Sequence, residues 1–220
     1  MTSSSSPQRG HLIVLEGLDR AGKSTQVQHL ISKLETHNKP VKHLRFPNRS
    51  TPIGQMINSY LTNQTSQEDH VIHLLFSANR WEAAAEITSL VEAGTTVLVD
   101  RYYYSGCVYS AAKRNPNMDL LWCRHPEVGL PRPDLCVFLD LDAEEVAKRG
   151  GFGGERYERE ELQGRVRELF AEMQGHGEEG EDVVLVDAKG SVEEVEERVW
   201  GVVVGRLGKV RGGLRRVGEW

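Results

Sequence analysis

Cysteine is scarce in this chain: Cys107, Cys123 and Cys136 are the only three among 220 residues, and none share a C-x-x-C spacing. That excludes a disulfide scaffold, and an odd count without a motif fits reduced thiols in a reducing compartment. No apolar run approaches the roughly 18 residues of a membrane span. The stretch Met1 to Arg9 is serine-rich and lacks the apolar core of a secretory signal, so residues 1–9 are expected to be a disordered tail. An excess of positive charge is missing as well. With 27 Lys and Arg against 32 Asp and Glu the net charge is −5, which argues against general nucleic-acid binding. No internal repeat is visible. These absences leave a soluble intracellular protein of one domain, long enough for a sizeable core.

What is present is a phosphate loop. Gly17-Leu18-Asp19-Arg20-Ala21-Gly22-Lys23-Ser24 spells G-x-x-x-x-G-K-S and is followed by Thr25. The apolar run Leu12-Ile13-Val14-Leu15 precedes it and reads as a buried strand. Val27, Leu30, Ile31 and Leu34 follow at i, i+3, i+4, i+7, one face of a helix. Strand, glycine turn and helix together turn backbone N–H groups and a helix N-terminus toward phosphate oxygens. Lys23 can then reach the β- and γ-phosphates, and Ser24 can ligate Mg²⁺. Asp19 and Arg20 fill positions the bare motif leaves open. An arginine here either stabilises a transferring phosphoryl group or is a solvated loop charge, and the loop alone does not decide between them.

Five segments read as strands: Leu12–Glu16, Val41–Phe46, Thr95–Asp100, Leu135–Leu141 and Val183–Asp187. Helical stretches alternate with them. Thr51-Pro52 is an N-cap and first-turn signal opening Ile53–Leu61. Val71 to Val91 reads as helix with Val71, Leu74, Leu75 and Ala78 on one side. Leu162, Val166, Leu169, Phe170 and Met173 mark another. Ser191-Val192-Glu193-Glu194 is a capping box before Val195, Val199 and Val202. The alternation predicts an α/β fold with a parallel sheet and right-handed crossovers.

A second phosphate element lies downstream. Thr95 to Asp100 is an apolar strand ending in a carboxylate, a Walker-B pattern, and Asp100 could hold Mg²⁺ directly or through water. Arg101 and Tyr102 follow at once. A GTPase reading fails on spacing: Asn38-Lys39-Pro40-Val41 lacks the guanine-reading aspartate, and Asp187-Ala188-Lys189-Gly190 lies too late for a switch loop. Three segments carry less. Arg149 to Tyr157 is glycine-rich and bracketed by arginines; locally it reads as a surface loop, with a mobile lid as the alternative. Gly175 to Asp182 is acidic and is assigned no chemistry. Gly205 to Trp220 places Arg206, Lys209, Arg211, Arg215 and Arg216 among glycines, and is expected to be a solvated basic tail.

Four further blocks join the phosphate loop in one pattern: Phe46-Pro47-Asn48-Arg49-Ser50-Thr51, His73 to Glu82, Asp100-Arg101-Tyr102, and Arg149 to Tyr157. Together they resemble eukaryotic thymidylate kinases, P-loop nucleoside monophosphate kinases, from about Gly10 to Val204. The resemblance implies a five-stranded parallel sheet flanked by helices, a lid at about 148–159, and the reaction ATP plus dTMP to ADP plus dTDP with Mg²⁺. It implies a homodimer, no nucleic-acid or membrane partner, and a cytoplasmic location, with the nucleus as a second compartment.

The same resemblance supplies roles. Gly17, Arg20, Ala21, Gly22, Lys23, Ser24 and Thr25 would hold ATP, with Arg149 on the adenine and the loop at Gly190 beside it. Phe76 would stack on thymine, although on its residue type alone it reads as core. Arg80, one helical turn on, would bond the base edge. Arg49 and Arg101 would hold the acceptor phosphate, with Phe46 and Pro47 lining that pocket. Asp19 would accept from the sugar 3′-hydroxyl, and Tyr109 would crowd C2′. Gly106, Tyr157 and Gln163 match acceptor positions. Arg20, Lys23, Asp19 and Arg101 would be catalytic, with Mg²⁺ on Ser24 and near Asp100. Two other readings stay open: a pyrimidine monophosphate kinase of broader range, and a nucleotide-binding regulatory protein without turnover.

Overall fold

The structure is a computed structural model that describes residues 9–142, 145, 156–157, 160–209 and 212–220. Its strands are β1 (Leu12–Gly17), β2 (Val41–Arg45), β3 (Thr96–Asp100), β4 (Leu135–Asp140) and β5 (Val183–Asp187). They form one parallel sheet in the order β2-β3-β1-β4-β5. The five expected strands are all present, with ends shifted by a residue.

Alternation along the strands divides the core. Leu12 and Val14 of β1 face one layer with Val97, Val99, Cys136 and Phe138. Ile13 and Leu15 face the other with Leu98, Leu135, Val137 and Leu139. Both faces must therefore be covered, which is why the central strands β1, β3 and β4 read as nearly continuous apolar runs, while the edge strands β2 and β5 are partly exposed. On the second face lie α1 (Lys23–Thr36) and the last helix, which contribute Val27, Leu30, Val195, Val199 and Val203. On the first face lie α3 (Asp69–Glu92) and α4 (Tyr103–Ala111). The helix α2 (Pro52–Leu61) packs on α3; Thr51 caps it, its hydroxyl accepting from Gly54 N–H at 3.0 Å. Next come α5 (Leu120–Arg124), a 3₁₀ turn at His125–Glu127, α6 (Glu160–Gln174) and α7 (Gly177–Asp182). The last helix, α8 (Val192–Leu207), opens on the expected Ser191–Glu194 capping box.

The structure departs from sequence expectation in three places. Helix α3 is where its periodicity puts it, but Val71 and Leu74 are about half exposed, and the buried face carries Ile72, His73, Ser77, Asn79 and Arg80. A helix that lines a polar cleft hides polar groups, so its apolar stripe is a poor guide to its inward face. Residues 175–182 are not idle surface. Within them Glu179 and Asp182 are fully buried against Arg124 and Arg132.

The chain end is the third departure. Helix α8 runs to Leu207, into the segment from Gly205 expected to be tail, and 212–220 is a strap held against the domain rather than a solvated tail. Val217 is buried and exchanges backbone hydrogen bonds with Gly129 and Leu130 at 2.8 and 2.9 Å. Trp220 Nε1 donates to Glu179 at 2.8 Å, and Arg215 donates to Asp182 at 2.9 Å. Of the positive charges that suggested a tail, Arg215 is a partner for the buried Asp182, and Arg206 donates to the backbone carbonyls of Asp134 and Glu181 at 2.9 and 3.1 Å. At the other end, Arg9 forks onto Asp134 at 2.7 and 2.8 Å, while the rest of the expected N-terminal tail lies outside the described residues. The expected lid, Arg149 included, lies there too, except for Arg156 and Tyr157.

Candidate active site

The parallel register brings the carboxyl ends of β1, β2 and β3 to one edge, with Asp100 level with Leu15 and Arg45. That edge is where open α/β sheets bind ligands. A cleft of about 460 Å³ opens there, within the size range of small-molecule sites. Asp19, Arg20, Gly22, Lys23, Ser24 and Thr25 line one end. Phe76, Arg80, Gly106 and Tyr157 line the other, with Phe46, Pro47, Arg49, Arg101 and Tyr109 also on the wall.

The loop between β1 and α1 is tightly wound. Gly17 has φ 143°, and a Cβ there would sit 2.7 Å from the Leu139 carbonyl oxygen, so only glycine fits. Arg20 also takes a left-handed φ of 68°. Lys23 folds back inside the loop, its Nζ donating to the carbonyls of Gly17 and Leu18 at 3.0 and 2.7 Å. Burial pushes its pKa down to about 7, and nearby Arg101 adds to the fall.

Asp19 and Arg101 form the centre. They are ion-paired, and Asp19 also accepts from Gln163 Nε2 at 2.8 Å and Tyr109 O–H at 3.3 Å. Burial works to raise the Asp19 carboxyl, but Arg101 and Lys23 outweigh it and hold the pKa below the ordinary carboxylate value. Arg101 has φ 65° and donates to Ser105 Oγ at 3.0 Å. Ser105 in turn donates to Glu16, a fully buried carboxylate that also accepts from the N–H groups of Tyr102 and Ser105 at 2.8 and 3.1 Å. Burial raises the Glu16 pKa.

Asp100 is suited to a hard cation. Its Oδ2 accepts from Ser24 Oγ at 3.2 Å, while its Oδ1 is buried with no hydrogen-bond partner among the described residues. A buried carboxylate oxygen left without a partner is costly unless something binds it. Oxygen donors from Asp100 and Ser24 match Mg²⁺ chemistry.

At the far end, Arg80 and Glu127 form a buried bidentate pair at 2.9 and 2.6 Å. Gly106 allows it: a Cβ there would lie 2.5 Å from a terminal nitrogen of Arg80. Phe76 is half-buried and faces Tyr157 at 6.5 Å between ring centroids; Tyr109 and Tyr60 complete the aromatic group around Tyr157.

The structure thus gathers the expected acceptor residues and most of the expected loop residues in one cleft, with Gln163 behind it through Asp19; Gly17, Ala21 and Asp100 do not line it themselves. Gly190 stands apart, in the turn after β5, with φ 101°, where a Cβ would run into the Glu194 carboxylate. Arg149 lies outside the described residues. Sequence reading missed Arg45, Leu61, Tyr102, Ser105 and Ser110, which also line the cleft, together with Glu16 and Glu127 behind it. Arg45 had a usable signal, since it ends a strand at the edge where ligands bind. The two glutamates had none, because their partners are distant in sequence.

Known proteins resemble this chain along most of its length. A family model described as thymidylate kinase matches residues 15–199. The thymidylate kinase of Homo sapiens is 46% identical over 196 residues, covering 87% of this chain and 89% of that one. The thymidylate kinase of Arabidopsis thaliana is 45% identical over 206 residues, covering 94% of this chain and 75% of that one. The solved structure of Candida albicans thymidylate kinase superposes with a TM-score of 0.85 at 38% identity, covering 95% of this chain and 98% of the other. On these matches the chain belongs to the thymidylate kinase family.

Proposed function

We propose that this chain transfers the γ-phosphoryl group of ATP to the 5′-phosphate of dTMP, giving ADP and dTDP. The observation that carries the reading is one cleft with a phosphate loop at one end, Phe76 and Arg80 at the other, and Arg45, Arg49 and Arg101 also lining it. Phosphoryl transfer leaves little covalent work for a protein, so placing the reactants and stabilising charge dominate. The loop amides and Lys23 hold the donor. Phe76 stacks on the thymine ring and Arg80 bonds its edge. Arg49 and Arg101 hold the acceptor phosphate, and Arg20 stabilises the transferring group. An oxygen of the acceptor phosphate attacks the γ-phosphorus in line, and the bond to the β–γ bridging oxygen breaks. No general base is required, because a phosphate monoester is mostly ionised near pH 7, its second pKa being about 6.

Ser24 and Asp100 would hold Mg²⁺, whose chemistry when bound is to neutralise charge on the β- and γ-phosphates. A homodimer belongs to the same reading, and the exposed Val71, Leu74 and Trp81 of α3 offer apolar surface for it. Among the described residues no helix is long and apolar enough to cross a membrane; a cytoplasmic location is part of the proposal.

The deciding experiment is a coupled ADP-release assay with dTMP, dUMP, UMP, CMP and AMP as acceptors. The expected order puts dTMP first and dUMP second. Equal rates with UMP and CMP would replace the proposal with a broader pyrimidine kinase. No release with any acceptor would make the chain a nucleotide-binding protein without turnover.

A further inference from the structure

We propose that Glu127 is a positioning residue for acceptor recognition, acting through Arg80; the inference rests on the reading of Arg80 as the contact to the base edge. Arg80 and Glu127 are 2% and 0% exposed. The Glu127 carboxylate takes Nε–H and one terminal N–H of Arg80 together. A two-point bond of this kind fixes the plane of the guanidinium as well as neutralising it. Arg80 nevertheless lines the cleft, so its remaining N–H groups are available to a group lying there. Gly106 closes against the same guanidinium and leaves it no room to swing toward α4.

The chemistry of the acceptor makes this support necessary. The edge of a pyrimidine is neutral and offers carbonyl oxygens. Such an acceptor cannot by itself compensate a guanidinium taken out of water. The carboxylate supplies that compensation before substrate arrives, leaving the base to be read by direction alone. Glu127 is itself held on two sides. The Pro126 carbonyl accepts from Trp81 Nε1 at 2.8 Å and Ser77 Oγ at 3.2 Å, both on the helix that carries Arg80. Just beyond, Gly129 and Leu130 are paired with Val217 of the C-terminal strap. The strap, the 3₁₀ turn and α3 therefore meet at one ion pair on the wall of the acceptor site.

Steady-state kinetics on the full chain, with dTMP and ATP varied in turn, tests this. Glu127→Gln keeps the shape and one acceptor oxygen. It is expected to raise KM for dTMP about tenfold, the size of one lost charge-assisted hydrogen bond, with KM for ATP and kcat at saturating dTMP within about threefold of the parent. In an Arg80→Met background the same change is expected to add less than about threefold, because its route is already gone. If Glu127→Gln does not fold, as judged by its melting curve, Glu127→Asp takes its place: it keeps the charge, shortens the reach, and is expected to give the same split. Equal rises in both KM values, or an undiminished rise on top of Arg80→Met, would overturn the proposal. An unchanged dTMP KM in Arg80→Met alone would instead remove the base contact on which it rests.

Discussion

Tyr109 and Asp19 touch: the phenol donates to Oδ2 of the carboxylate at 3.3 Å, and Arg101 lies 5.4 Å from the centre of the same ring. Tyr109 is 7% exposed, so the ring is held by its neighbours rather than free to turn. The loop, α4 and α6 converge here, through Asp19, Tyr109 and Gln163. A wall this rigid can exclude a substituent by shape, which is what discrimination between deoxyribose and ribose requires.

The first prediction concerns that discrimination. A ribose 2′-hydroxyl pressed on the Tyr109 ring would lose water without gaining a partner, costing about 1–3 kcal/mol. Tyr109→Ala should therefore lower the ratio of kcat/KM for dUMP over UMP by roughly 5- to 150-fold. Tyr109→Phe, which keeps the ring, should hold that ratio near the parent value. The measurement is kcat/KM for the two substrates, which share a base and differ in sugar. An unchanged ratio in Tyr109→Ala would show that the ring is not the sugar gate.

Arg20 carries the second. It sits in the phosphate loop with φ 68°, a backbone state that non-glycine residues seldom adopt. Its charged side chain lines the cleft beside Lys23 and Ser24. Arg20→Ala should lower kcat by on the order of 10² or more while changing KM for ATP little. A kcat within about threefold of the parent would make Arg20 an ordinary loop charge.

Phe76 separates base stacking from core packing. The ring is half-buried, packs beside Ile72 and Tyr157, and lines the cleft. Base–aromatic stacking is worth roughly 1–3 kcal/mol, so Phe76→Ala should weaken dTMP binding by about 5- to 150-fold and ATP binding much less. Isothermal titration with each nucleotide separates the outcomes. Equal loss for both, with a lowered Tm, would assign the ring to the core.

Local signals carried most of the fold. The central strands β1, β3 and β4 are covered on both faces, and the caps at Thr51 and Ser191 use neighbouring residues, so both are written in short stretches of sequence. The phosphate loop is local in the same way. What escaped was stabilised from a distance. Glu127 answers to Arg80, 47 positions away, and Glu16 to Ser105, 89 positions away. Neither glutamate lies in a pattern of its own. The strap failed for a related reason: its anchors, Val217, Trp220 and Arg215, sit among glycines and exposed basic residues, and they meet Leu130, Glu179 and Asp182, all distant in sequence. Val71 and Leu74 erred the other way, since apolar residues at helical spacing need not face the core when the inward face serves a polar site.

The fourth prediction follows from Lys23. Its ammonium is buried against two carbonyls and has a pKa lowered to about 7, so near neutral pH a large share of the nucleotide-free enzyme carries it uncharged. Bound ATP would set negative charge beside it, favour the ammonium and raise the pKa again. The complex then holds more protons than the free enzyme wherever pH exceeds about 7, and the two hold equal numbers well below it. Affinity for ATP should consequently fall as pH rises from 7 to 9, and binding should take up a fraction of a proton at pH 8 and almost none at pH 6. Calorimetric titration with excess Mg²⁺, in buffers of different ionisation enthalpy, reads that uptake directly. Lys23→Met is the control, since uptake that persists without the amine belongs to another group. Equal heats across buffers at pH 8 in the parent enzyme would mean that Lys23 is already fully charged before ATP arrives, and that burial in the loop does not hold its proton back.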